Sequence, residues 1–336
     1  MRDRSQEVPE LMRAEPRDRT CHGGDVDPDG PARPVLWLCA GIAALAGIAA
    51  VLGLLQQGGS GPFPAETVRG QVVELSGRGL YRYDTVFTAA GSRGTDLVTL
   101  VAGIPLLVGS AVGSWRGSAR SGLVLLGTLG YFLYVYAGYA LGAIAYNELF
   151  LLYVVLFSAA LYAFVLVCAA FFRQDPAGLF PAGTPRRGPA ALMFASAVVL
   201  LVVWGAPLVS AALAGTSPAG LGPYSTEFTE ALDLAVITPA AVWAGVLILH
   251  RDPRGYLIAV SLLVLEILLA PLIIAQTVLQ LRAGAAFTPP EIIGPMAGFV
   301  VLAVAAAAVL VAILRHVPAA APRPGRAAHS RTGGSP

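Results

Sequence analysis

There is no lysine in this chain: all 22 basic residues are arginine. Charge as a whole is scarce, at 12% of 336 residues, where a soluble domain carries about 25%. That argues against an ordinary soluble surface, and a net charge of +2 lacks the basic footprint of a nucleic-acid binder. Cysteine is scarce as well. Cys21, Cys39 and Cys168 have neither CxxC nor zinc-finger spacing, so no disulfide framework and no metal site is expected. The four histidines (His22, His250, His316 and His329) fall in tails or beside the turns between apolar runs. With no HExxH, no GxSxG elbow and no Walker A loop, the sequence offers no motif for zinc hydrolysis, serine hydrolysis or direct ATP use. No catalytic residue and no cofactor is predicted.

What is abundant is apolar length. Apolar residues make up 56% of the chain, with a mean hydropathy of +0.70. Each helical residue rises ~1.5 Å, so crossing ~30 Å of hydrocarbon takes about 20 mostly apolar residues. Eight stretches qualify, near 35–55, 96–114, 122–146, 149–172, 190–214, 231–250, 256–281 and 292–314. Backbone groups in lipid must be satisfied within their own segment. The fold class is therefore an all-α membrane protein, a polytopic bundle of about eight transmembrane helices over 35–315. Residues 1–34 and 316–336 read as disordered cytoplasmic tails. Residues 56–95 form the one longer extracytoplasmic loop.

Orientation follows from arginine. Seventeen arginines fall on the side of the N-terminus; Arg69, Arg78, Arg82, Arg93 and Arg282 fall on the other. The positive-inside bias then predicts a cell-membrane protein with both termini cytoplasmic. The charged N-terminal segment does not resemble a cleaved signal peptide, so the first span reads as an uncleaved anchor.

An internal likeness links the second and sixth spans. "DLVTLVAGIP" from Asp96 and "DLAVITP" from Asp233 each lead from Asp-Leu to an intramembrane proline, then exit at "WRGSAR" or "HRDPRG". Four spans separate them, which suggests a 4+4 parallel repeat. The competing explanation is that helix starts favour Asp and inner turns favour Arg.

"GLYRYDTVFTAAGSRGTDLVTLVAGIPLL", "GYFLYVYAGYALGAIAYNELFLLYVVLFSAALYAFVL" and "LDLAVITPAAVWAGVLILHRDPRGYLIA" resemble a set of bacterial multi-pass integral membrane proteins. The likeness covers most of residues 76–281. It implies a bacterial membrane assignment and brings no activity, substrate or catalytic residue.

Chemistry has two places to sit. In the 56–95 loop, "VRGQVVEL" and "LYRYDTVF" read as strand-like runs around "SGRG". Alternation would set Tyr81, Tyr83, Thr85 and Phe87 on one face and Arg82 and Asp84 on the other. Arg78, Arg82 and Arg93 are expected either to pair with nearby acids and pin the loop as a lid, or to grip an anionic lipid or carboxylate by bidentate bonds. The candidate ligand-binding residues are Arg78, Arg82, Asp84, Arg93, Asp96 and Glu148. Asp96 follows "SRGT" at the start of a span, so helix N-cap is its default role. Gly138 and Gly142 form a GxxxG that predicts a close helix contact. The second place is within the spans. Glu266 is the one ionisable residue near a span centre, where a charge costs about 2.5–3.5 kcal/mol. Thr277 and Gln280 lie on nearly the same helical face and extend it into a polar stripe. The plain alternative is a protonated Glu266 bonded to a neighbouring helix.

These features favour a non-enzymatic bundle that binds or positions a lipid, small molecule or partner protein through its outer loop. Two alternatives stand beside it: a small-molecule permease using Glu266, and a membrane transferase acting on a lipid-linked substrate with Asp84 or Asp96 as base. The expected partners are the bilayer, an anionic lipid or small molecule, and another membrane protein or a second copy.

Overall fold

The computed structural model describes residues 32–173, 178–218, 220–285 and 289–319; Cys21 and nearly all of both tails lie outside them. Eight helices among the described residues are long and apolar enough to cross a membrane, as a multi-pass membrane protein requires. They are α1 (Ala32–Leu55), α2 (Val86–Trp115), α3 (Ala119–Leu141), α4 (Phe150–Arg173), α5 (Arg187–Ala214), α6 (Phe228–Leu249), α7 (Pro253–Arg282) and α8 (Pro289–His316). Burial separates them into two classes. The apolar windows of α3 and α7 are 72% and 61% buried, against 17–33% in the other six, so α3 and α7 form the central pair. Trp37, Tyr162, Leu213 and Trp243 project outward from surrounding helices, where lipid would solvate them.

The neighbour relations fall into two sets of four. α1 packs on α2 and α4, and α3 packs on the same two. Likewise α5 packs on α6 and α8, and so does α7. The sets meet where α7 packs on α2 and α3, and where the start of α6 meets α3.

Three of the helices accommodate a proline beyond their first turns in the same way. Pro105, Pro207 and Pro239 follow π-turns at Thr99–Gly103, Leu201–Gly205 and Asp233–Ile237. Proline has no N–H, and its ring collides with the carbonyl four residues back. One extra residue in the preceding turn removes the collision without ending the helix.

From this turn onward α2 and α6 share a register, offset by 134 positions. Thr99 corresponds to Asp233 and Pro105 to Pro239. Gly117 (φ 88°) corresponds to Arg251 (φ 63°), and the N-cap Ser118 to the N-cap Asp252. The turn hydrogen bonds repeat as well. Arg116 and Ser118 donate to the carbonyls of Val112 and Gly113, while His250 and Asp252 donate to those of Val246 and Leu247. Asp233 therefore matches Thr99 rather than Asp96, which accounts for the unequal aspartate-to-proline spacing in the sequence.

The largest departure from expectation is at α2, which begins at Val86, ten residues before the predicted start, with Thr85 as N-cap accepting from the Thr88 N–H (3.1 Å). The loop shortens to 56–85. Its hairpin also differs: β1 (Phe63–Glu66) pairs antiparallel with β2 (Val72–Leu75) across 67–71, not around "SGRG". Residues 80–87 turn back beside the end of β2 through an isolated Leu75–Thr85 bridge and through the Ser76 and Gly77 N–H groups, which donate to the carbonyls of Asp84 and Arg82 (2.8 and 2.9 Å), without forming a strand. The proposed alternation fails with it, because Tyr81 is buried while Tyr83 is exposed. Gly142, with φ 132°, caps the end of α3 instead of forming a GxxxG contact with Gly138.

Candidate functional site

The loop residues do not converge on one point. Arg82 forms an ion pair with Glu148 and lies over the Tyr83 ring, 4.9 Å from its centroid. Arg78 is exposed and lies against Gly61. Arg93 is half-buried and donates to the Arg78 carbonyl (3.4 Å), which ties α2 to the loop. The expected pinning of the loop by acids thus holds for one arginine among the described ion pairs. On the far strand side, Arg69 donates to the carbonyls of Gly222 and Tyr224 (3.4 and 3.2 Å), fastening the hairpin to the segment before α6.

Asp84 and Asp96 are both buried. Asp84 Oδ1 accepts from the Ala145 N–H (2.7 Å) and the Tyr224 hydroxyl (2.8 Å), joining three distant segments; Oδ2 has no hydrogen-bond partner among the described residues. Burial, resisted by those two bonds, raises its carboxyl to about 6. Asp96 is not an N-cap. It lies ten residues into α2, accepts from the Tyr81 hydroxyl (2.7 Å), and sits directly beneath Gly53 of α1. Around it Tyr139 meets Tyr81 and Tyr153 edge-on, and Tyr136 stacks on Tyr153. This is a packed aromatic core with one carboxyl in it.

The open space lies elsewhere. At the hairpin end, between the two sets of four helices, is a cavity of about 490 Å³, a volume suited to a small molecule. Its α3 side is lined by Val135, Gly138, Tyr139, Gly142 and Ala143. Its α7 side is lined by Leu269, Leu272, Ile273, Gln276 and Thr277, each 134 positions beyond one of the first five, while Tyr134, Ile144 and Gln280 line it without such a counterpart. Five pairs of lining positions on α3 and α7 thus share the offset found between α2 and α6.

Polar bonds across it fix the walls. Gln276 Nε2 donates to Thr95 Oγ1 (2.9 Å), Gln280 Nε2 to the Phe87 carbonyl (3.4 Å) and the Tyr139 hydroxyl to the Ser92 carbonyl (3.1 Å). Close packing brings the helices together here, since a Cβ on Gly94 would stand 2.5 Å from the Gln276 backbone nitrogen. Asp233, held in the α6 π-turn, accepts from Trp204 Nε1 (2.8 Å) and adjoins Tyr134. Glu227 and Glu230 line the start of α6. Burial first, and Glu230 second, raise the Glu227 carboxyl above its ordinary range.

Of the intramembrane candidates, Thr277 and Gln280 line this cavity and Glu266 does not. Glu266 lies one turn below Leu269 on the same α7 face, against Ser196 of α5, and its Oε2 has no partner among the described residues. Sequence reasoning missed Gln276 and Trp204. The signal for Gln276 was its place beside Thr277 and Gln280 in an otherwise apolar helix; Trp204 carried none.

Comparison with protein-family models, curated proteins and solved structures found no match to this chain.

Proposed function

We propose that this chain is a non-enzymatic membrane bundle that binds a small molecule in the cavity between α3 and α7. Two four-helix repeats in parallel orientation form its walls, and the protein sits in a bacterial cell membrane with both termini cytoplasmic. The observation that carries the reading is a chamber of about 490 Å³ in which aromatic rings, hydroxyls, amides and carboxylates meet inside an apolar bundle. Ionisable groups within a membrane bundle are costly and rare, and commonly mark a functional site. The shared 134-position register supports the repeat, and sites between repeats are a recurrent arrangement in membrane proteins. The arginine distribution supports the orientation. Relative to the sequence-based expectation, the binding surface moves from the loop to the chamber that the loop overhangs.

The test is access. In a chain whose three native cysteines are replaced by alanine, Thr277→Cys is expected to react with a small methanethiosulfonate reagent in mild detergent. Adding Ala143→Phe, from the wall opposite, should slow the reaction about tenfold while the protein stays monodisperse. A thiol that is inert in the folded protein sinks the proposal.

The permease alternative keeps one specific observation in its favour. Glu266 continues the cavity-facing stripe of α7 by a turn toward the other side of the bundle. Transport that is lost in Glu266→Gln, with Thr277→Cys labelling unchanged, would favour it.

A further inference from the structure

We infer that the cavity takes an organic cation, a primary amine or quaternary ammonium, and this rests on the cavity being the binding site proposed above. Three carboxylates line it, and among the described residues no arginine or histidine does. Asp233 is only 7% exposed, and its neighbours Trp204 and Tyr134 are neutral. Neutral donors orient a carboxylate but leave its charge uncancelled, and a buried charge without a counter-charge is costly. Glu227 and Glu230 add like charge at the same end of the chamber. Arg69 acts on Glu227 from the hairpin, but it is exposed and bonded to two backbone carbonyls. A cation entering the cavity supplies what the protein withholds.

The walls suit such a guest. Trp204, Tyr134, Tyr224 and Phe228 present aromatic rings, whose faces attract ammonium groups by about 0.5–2 kcal/mol each depending on desolvation. An anion would meet three carboxylates. A neutral guest such as a sugar could bond to the walls but would leave the charge of the three carboxylates uncancelled. The arginines first expected to grip an anion, Arg78, Arg82 and Arg93, all lie outside it. The ammonium group can belong to a soluble amine or to a lipid headgroup.

The experiment uses the full-length Thr277→Cys chain. Labelling rates for a trimethylammonium and a sulfonate methanethiosulfonate are each normalised to a free thiol. The cationic reagent is expected to win by about tenfold or more, because a chamber lined by one sign of charge concentrates the opposite sign. Asp233→Asn, or Glu227→Gln with Glu230→Gln, should bring the ratio close to unity; two independent variants guard against one failing to fold. Choline or ethanolamine should slow labelling, whereas 3,3-dimethylbutan-1-ol, the uncharged isostere of choline, should not. Slower labelling in phosphatidylethanolamine nanodiscs than in phosphatidylglycerol ones assigns the cation to a headgroup; equal rates assign it to a soluble amine. A normalised ratio of one or less overturns the inference, as does equal protection by the isostere, or no protection by choline, ethanolamine or phosphatidylethanolamine. A thiol inert to both reagents instead removes the cavity's function altogether.

Discussion

Asp84 is 1% exposed, and only one of its carboxyl oxygens is bonded among the described residues. Its folded carboxyl titrates near 6, above the ordinary 3.8, so the folded state holds the proton more tightly than the unfolded chain does. Stability linked to this group is then greatest in acid and falls as pH rises from about 4 to about 6. Asp84→Asn keeps an acceptor for Ala145 and Tyr224 and carries no charge. It should melt higher than the parent at pH 7 and lose most of that advantage near pH 4; an equal difference at both would refute the assignment. Two glycines give a contrasting pair. Gly94→Ala drives a methyl into the α7 backbone and should cost about 1–3 kcal/mol, read as a lower melting temperature. Gly109→Ala meets nothing within 4 Å and should stabilise by about 0.5–1 kcal/mol. Sequence alone picked out Asp84 and Asp96 as unusual. It could not supply their partners, because Tyr224 lies 140 positions from Asp84 and no local pattern connects them.

At the scale of the element, seven of the eight spans were readable to within a few residues, because lipid imposes a length on an apolar run. The second was not. Its first turns carry Ser92, Arg93, Gly94, Thr95 and Asp96, which read as a polar loop; four of these five are buried against α1, α3 and α7. Hydropathy reports what a residue prefers next to lipid, and these residues meet protein. The π-turns were also invisible, although two of the three prolines that accompany them, Pro105 and Pro239, were noted. Pro239→Ala should let the Asp233–Ile237 turn tighten to α-helical spacing, turning the earlier part of α6 by about 100°. Asp233 would then leave Trp204. The expected readout is a changed Trp204 emission, taken as the difference from a Trp204→Phe control; an unchanged spectrum would mean that packing, not proline, holds the bulge.

At the scale of the molecule, helix count and class were legible, and the 134-position offset between α2 and α6 was masked in the sequence by an imperfect aspartate match. The register that relates the sets runs through backbone features, a π-turn and a positive-φ turn residue, which Gly117 and Arg251 satisfy with different side chains. Each set has an even number of helices and its own closed packing. Residues 1–176 and 177–336, expressed as separate polypeptides, should therefore co-purify as one particle through α2, α3 and α7. Failure to associate would show that the connection between α4 and α5 is needed for assembly. The wall of the chamber offers a last point. Were it shared by two identical subunits, every residue facing it would be presented twice, and any guest would see two surroundings related by a two-fold rotation. A wall built from one chain escapes that constraint: Gly142 lies 134 positions before Gln276 and Gly138 the same distance before Leu272, so the α3 and α7 sides differ. On the function proposed above, such a vestibule would hold a guest with distinguishable head and tail in a single preferred pose.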